Sequence, residues 1–480
     1  MTDCCADDTR TPHVLPQSLV IVGGGSAAFA AALRAHDLGA RVTLINDGLP
    51  IGGTCVNVGC VPSKTLIRAA EAHHRATHHA FAGIEAHSRV QDFRAIIAQK
   101  RALVETLRQA KYRDVIAPLA HVHLLTGRAR LLSPTTIEVN GEHVTADRVV
   151  IATGATPKIP AVPGLAASGY LTNESAYELD TLPESMIVLG GRYIALENAQ
   201  LFARLGSRVT LLQRSARILP TETPELTDTL TDMLRAEGID IRTGVTLREV
   251  RRDAHEIRVM AEVDGCLQTF RASHLLVATG RQPNTAHMGL EDIGVQTAAA
   301  GYIAVDDTLQ TTVPGVYAAG DVIGSPMFVY TAAYEGQLAA DNALTGAARQ
   351  RDYTALPWVI FTDPQVAGVG LDLQQAAQHG YDVDVSTLPL AHVPRALAAR
   401  DTRGFITLVR DRNTDRLLGA RILAPEGSEL LMELSMAIKY GIPVTDLATL
   451  FHPYLTLSEG VKLAAITFGK DIVQLSCCAS

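Results

Sequence analysis

Aromatic residues are scarce. They make up 5% of the 480 residues, with a single tryptophan, against 47% hydrophobic residues overall, a balance that suits an α/β protein packed on Ala, Val and Leu. Positive charge is not in excess either. The formal net charge is −8, which argues against nucleic acid or an anionic membrane as a partner. No uninterrupted apolar stretch approaches the length of a membrane span. The opening residues, MTDCCADDTR, are acidic and polar and lack the apolar core of a secretory signal. Cysteine is sparse and odd in number, with 7 in the chain, as expected of a reducing compartment where thiols do chemistry. The expectation is a cytoplasmic enzyme without a membrane span, built from about three domains.

Two of those cysteines organise the rest. Residues 52–64 read GGTCVNVGCVPSK, with Cys55 and Cys60 in one loop and Pro62 opening a run of helix formers from Lys64 to Glu71. Proline near a first turn marks a helix start. Cys60 is therefore expected at a helix N-terminus, where the partial positive charge favours thiolate. A structural zinc site normally shows Cys-x-x-Cys spacing and a second ligand pair, and neither occurs nearby.

Two strand–turn–helix units flank this loop. Ser18–Val22 runs into Gly23, Gly25 and Ala28, which fit the Gly-x-Gly-x-x-Gly/Ala turn that brings a pyrophosphate onto backbone at a helix start. The following strand, Arg41–Ile45, ends at Asn46 and Asp47. An acid is usual there for the adenosine ribose, so Asp47 is the expected contact, with Asn46 as the weaker alternative. The second unit begins at Met186 and carries Gly190, Arg192 and Ala195. A side chain at Arg192 blocks the closest approach to the pyrophosphate, yet its guanidinium can itself reach phosphate. No acid follows the next strand, Arg208–Leu212; Arg214 and Arg217 stand there instead, which favours NADPH over NADH. His74 and His78 are an i,i+4 pair in a helical stretch with no third metal ligand close by, and are expected to form a solvated helix face.

The segments GGGSAA, GGTCVNVGCVPSK, VATGRQPN, YAAGD and FTDPQVAGVG together resemble the FAD-dependent pyridine nucleotide–disulfide oxidoreductases, the family of glutathione reductase and lipoamide dehydrogenase, over roughly residues 18 to 470. The resemblance implies two Rossmann-like dinucleotide-binding domains, one inserted in the other, followed by a C-terminal α+β dimerisation domain. The implied segments are a disordered tail over 1–16, an FAD-binding domain in two parts over 17–155 and 275–347, and an NADPH-binding domain over 156–274. A dimerisation domain over 348–470 and a mobile tail over 471–480 complete the chain. It further implies FAD and NADPH as cofactors, Cys60 as the sulfur facing the flavin and Cys55 as the outer thiol. Lys64 would pair with Glu197 beside the flavin, Asp321 would hold the ribityl chain, and Tyr193 would cover the nicotinamide pocket. Further cofactor contacts are expected from Ser26, Gly53, Thr54, Thr153, Gly154, Gly280 and Arg281.

Near the C-terminus, disulfide reductases of this family place a histidine five residues before a glutamate as a proton shuttle. Counting back from Glu459, that position is Tyr454, and His452 is two residues out of register. A phenol with a pKa near 10 is a poor shuttle at neutral pH. Cys477 and Cys478 close the chain as an adjacent pair suited to carrying a soft metal ion. Together these features resemble the branch of the family that reduces mercuric ion. That resemblance implies a homodimer in which Cys477 and Cys478 of one subunit take Hg(II) from small thiols and pass it to Cys55 and Cys60 of the other, with Tyr193 and Tyr454 near the path. A large thioredoxin reductase and a thiol protein that merely sequesters soft metals are the competing readings.

Overall fold

The computed structural model describes residues 17–254 and 256–475; Cys4, Cys5, Cys477 and Cys478 lie outside them. The chain forms two compact units that interleave along the sequence. The first takes residues 17–57, 103–156 and 281–351; the second takes 58–102, 157–280 and 352–475.

In the first unit, five parallel strands run in the order Val316–Ala318, Arg148–Ile151, Ser18–Val22, Arg41–Asn46 and Val122–Thr126. The sheet draws strands from all three chain segments, so the fold closes only when its distant parts meet. The helices Ser26–Asp37 and Val329–Thr345 pack on it through alanines: Ala28, Ala31, Ala32 and Ala35 of one, and Ala339, Ala340 and Ala343 of the other. Small side chains let backbones approach. A Cβ at Gly336 would lie 2.0 Å from the Ala27 carbonyl oxygen, so only glycine fits that crossing.

The second unit holds a four-stranded parallel sheet, Asp240–Arg242, Arg208–Leu212, Ser185–Leu189 and His274–Val277. It also holds a five-stranded antiparallel sheet in the order Trp358–Ile360, Gln365–Gly370, Leu417–Ala424, Phe405–Asp411 and Val383–Pro389. The helix Tyr193–Leu205 ends at Gly206 in the left-handed conformation, the usual way a helix stops. The architecture is two Rossmann-like folds, one nested in the other, with a C-terminal α+β domain.

Three bounds of these compact units do not coincide with the expected domain bounds, which concern function rather than compactness. Residues 58–102 lie in the second unit, where the Cys60–Thr77 helix buries Leu66 and Ala70 in one core with Leu196 and Ala199. Residues 275–280 lie in the second unit as well, where Leu275 pairs with Ile187 in the parallel sheet. Residues 348–351 stay with the first unit, where the Arg351 N–H donates to the Asp307 carbonyl.

Gly336→Ala is expected to destabilise the protein by about 1–3 kcal/mol and to lower flavin retention. Thermal midpoint and the flavin-to-protein absorbance ratio of the purified variant measure both.

Candidate active site

The first unit carries one nucleotide turn and half of the dithiol segment. Gly23 has φ 134°, and a Cβ there would sit 2.1 Å from the Ala152 carbonyl oxygen. The helix that follows starts at Ser26 with Gly25 as N-cap, no side-chain cap and no acid in its first turn. Its first N–H groups are thus left for a phosphate, and buried Ala28 packs the helix down. Asp47 is exposed beyond the end of the strand. Asn46 lies against the turn: a Cβ at Gly24 would be 2.1 Å from its Oδ1, and its amide donates to the Leu49 carbonyl at 3.0 Å.

Gly53, Thr54 and Cys55 lie on the short helix Gly53–Asn57, with Cys55 half-buried. Asn57 holds that helix in place. Its amide nitrogen donates to the carbonyls of Pro50 and Gly53 at 2.8 Å each, and its oxygen accepts from Arg108 Nε at 2.8 Å. Thr153 and Gly154 are locked to Asn284, whose amide donates to the Thr153 carbonyl at 2.9 Å while the Thr153 hydroxyl donates to the Asn284 carbonyl at 2.8 Å. Arg281 lies 3.5 Å from the Asp321 carboxylate. Burial raises the carboxyl of Asp321 above its ordinary range, against the pull of that arginine. The loop before Asp321 is fixed by Glu335, a buried carboxylate that accepts the Gly320 N–H at 2.6 Å. Asn57, Asn284 and Glu335 were not among the residues singled out from sequence. Asn57 and Asn284 lie inside quoted motifs, which is the signal that pointed to them.

In the second unit Cys60 is the first residue of the helix Cys60–Thr77, half-buried, with no acid in the first turn, as the sequence implies. One turn on, Lys64 Nζ is 2.7 Å from Glu197 Oε2. The other oxygen of that buried carboxylate accepts the Phe361 N–H at 3.0 Å, and Lys64 sits 4.5 Å over the Phe361 ring. Beneath this helix is a buried polar pair. Asn198 donates to the Tyr177 hydroxyl oxygen at 3.0 Å, and burial pushes the Tyr177 phenol well above its ordinary pKa. Asn198 Oδ1 is buried without a hydrogen-bond partner.

The second nucleotide turn repeats the first. Gly190 has φ 124°, and a Cβ there would lie 2.3 Å from the Ala278 carbonyl oxygen. Arg192 is exposed at the N-cap of the Tyr193–Leu205 helix with φ −112° and ψ −169°, extended backbone that any residue adopts. Gln213 occupies the strand end and packs on Gly191. Arg214 is exposed, and Arg217 pairs with Asp228 at 3.0 Å. Gly280 is exposed; its carbonyl accepts the Lys158 N–H at 2.9 Å. Tyr193 stacks on Trp358 with centroids 6.0 Å apart, and burial raises its phenol to about 12.

Tyr454 stands exposed on the loop between the helices Val444–Thr449 and Glu459–Ile466. Glu459 accepts the Leu455 N–H at 3.3 Å. The His452 side chain is 4% exposed and faces Glu433, so it cannot stand in as a shuttle at the surface. His74 and His78 stack at 4.1 Å, and burial lowers the His74 imidazole to about 4. No group of three or more His, Cys, Asp or Glu that could hold a metal ion occurs among the described residues.

Comparisons with known proteins agree with this geometry. The family model "Pyridine nucleotide-disulphide oxidoreductase" matches residues 17–336, and its dimerisation-domain model matches 356–465. Mercuric reductase of Streptomyces lividans is 46% identical over 467 residues, spanning 96% of this chain and 98% of that protein. Mercuric reductase of Staphylococcus aureus is 43% identical over 461 residues, spanning 96% and 84%. The solved structure of the flavoprotein disulfide reductase RclA from Escherichia coli, in its Cu(II) complex, superposes with a TM-score of 0.85 at 29% identity, covering 95% of this chain and all of that one. The chain belongs to the pyridine nucleotide–disulphide oxidoreductases and, within them, to the mercuric reductase family. It is an oxidoreductase whose cofactors are FAD and NADPH, and both uncapped helix starts fit a dinucleotide pyrophosphate.

Asn198→Leu alone takes from the buried Tyr177 hydroxyl one of its two side-chain partners, the other being Ser63, and is expected to cost about 1–3 kcal/mol. The double variant Tyr177→Phe/Asn198→Leu removes both polar groups and is expected to be at least as stable as the parent. Thermal midpoints of the two variants decide this.

Proposed function

We propose that this enzyme reduces Hg(II), presented as a small-thiol complex, to Hg(0) at the expense of NADPH. The overall change balances as NADPH and Hg(II) giving NADP+, H+ and Hg(0). The carrying observation is Tyr454 at the surface position where a disulfide reductase needs a histidine, while the one nearby histidine, His452, is withdrawn against Glu433. Reducing a bound metal ion needs electrons and soft ligands rather than a general acid at a leaving thiol. The naming of the relatives as mercuric reductases points the same way.

In this reading Cys55 and Cys60 take the metal ion as thiolates, Cys60 favoured as thiolate by its place at a helix start. Bound FAD supplies the two-electron relay from the nicotinamide. Lys64 holds a positive charge near that relay because Glu197 compensates it. Tyr193 covers the nicotinamide pocket, and Tyr454 lines the path of the incoming complex. Asn46 is better placed than Asp47 for the FAD ribose. Arg192 and Arg214, neither with an ion-pair partner among the described residues, receive the NADPH phosphates, with Arg217 beside them. The subunits pair as a homodimer through the C-terminal domain, where Met432, Met436 and Tyr440 expose one face of the Leu431–Tyr440 helix and Cys477 and Cys478 are the delivery pair. Among the described residues no helix is long and apolar enough to cross a membrane.

Purified enzyme with excess cysteine is expected to oxidise NADPH in a Hg(II)-dependent way with loss of volatile mercury, and Cys60→Ala is expected to abolish both. Turnover of disulfides without any response to Hg(II) would overturn the reading. Arg214→Ala is expected to raise the KM for NADPH about tenfold while leaving that for NADH unchanged.

A further inference from the structure

Two residues before Tyr454 lies a buried ionisable pair that neither the cofactor turns nor the dithiol uses. His452 Nε2 is 3.0 Å from Glu433 Oε2, and its Nδ1 is 3.2 Å from the Leu450 carbonyl oxygen. Both ring nitrogens therefore face oxygen atoms. A neutral imidazole has only one N–H, so both contacts are made only when the pair keeps a further proton, on the ring or on the carboxyl. Glu433 Oε1 is buried without a hydrogen-bond partner, so His452 is the partner that compensates this carboxyl. Glu433 belongs to the Leu431–Tyr440 helix, and the pair thus ties the loop to that helix from the N-terminal side of Tyr454.

The other side is tied as well. Leu455 has φ 63°, a left-handed conformation uncommon for a residue other than glycine. Its N–H is held by Glu459, and the Thr456 hydroxyl donates to the Pro453 carbonyl at 2.8 Å. Tyr454 is the exposed residue between two anchors, and only the anchor at Glu459 is part of the motif that the family reading already uses.

We propose that His452 and Glu433 are positioning residues that hold the Tyr454 loop in the pose that meets the incoming metal–thiolate complex. The inference rests on the role given to Tyr454 above. The His452 ring is too deeply buried to meet substrate itself, so its effect passes through the loop. Losing either member frees the backbone just before Tyr454 and weakens capture of the complex more than electron transfer to it.

The test uses the full-length, FAD-loaded enzyme with Hg(II) in excess cysteine, comparing Glu433→Gln, His452→Ala and His452→Gln in the parent and in a Tyr454→Phe background. Flavin spectra and thermal midpoints report folding, and Glu433→Gln is close to isosteric. The expected result is a KM for the Hg(II)–cysteine complex raised roughly fivefold by Glu433→Gln and by His452→Ala, with kcat little changed. His452→Gln, which keeps an N–H at the Nε2 position, should recover part of the loss. Neither change should act further once Tyr454 is Phe. Unchanged KM values, or effects that persist in full in the Tyr454→Phe background, would overturn the proposal. Failure of the parent enzyme to show Hg(II)-dependent NADPH oxidation would overturn the functional reading itself, and that outcome is visible before any variant is made.

Discussion

A single buried carboxylate holds the chemistry of the second unit together. Glu197 accepts from Lys64 on the helix that Cys60 opens and from the backbone of Phe361 at the entrance to the C-terminal sheet, while itself sitting on the helix of the second nucleotide turn. Three distant stretches of chain converge on its two oxygens. An ion pair of this kind contributes little net stability, because desolvation offsets most of the attraction, but removing one partner leaves a buried charge and costs about 3–5 kcal/mol. Its value is therefore geometric: it sets where the first turn below Cys60 lies relative to the nicotinamide-side helix. The Lys64 ammonium also lies 4.5 Å over the Phe361 ring, a cation–π contact that adds to its hold.

The loop at Tyr454 presents a phenol at the surface. Opening a disulfide requires a group that can donate and recover a proton near neutral pH, and a phenol whose ordinary pKa is near 10 does that poorly. A metal ion leaving as the neutral element asks for no such transfer at the loop. The histidine that could have done the work is present two positions away, but its ring is turned into the domain and committed to Glu433.

Much of this was legible in the sequence because it is local. The glycine turns, the helix that begins at Cys60 and the helix stop at Gly206 each depend on residues within a few positions of one another, and each stands where the pattern puts it. The Lys64–Glu197 pair came from family resemblance and is present at 2.7 Å. What escaped depends on partners far apart in the chain. The Cys60–Thr77 helix shares its core with Leu196 and Ala199, which lie far from it in sequence. Asn198 is a polar residue in a largely apolar helix, and its partner Tyr177 lies on a separate stretch of chain. Which of Asn46 and Asp47 meets the turn is a matter of strand register, which composition does not fix.

The two nucleotide turns share a detail beyond their glycines. In each, the residue closing the second strand is an amide laid against the middle glycine, Asn46 on Gly24 and Gln213 on Gly191. An amide offers a donor and an acceptor without formal charge, so neither turn repels a phosphorylated ribose. The charge around the two turns differs: arginines stand at 192, 214 and 217 in one unit and Asp47 in the other. The chain thus carries one uncharged template twice, each copy fixed by its own sterics and set in surroundings of different charge.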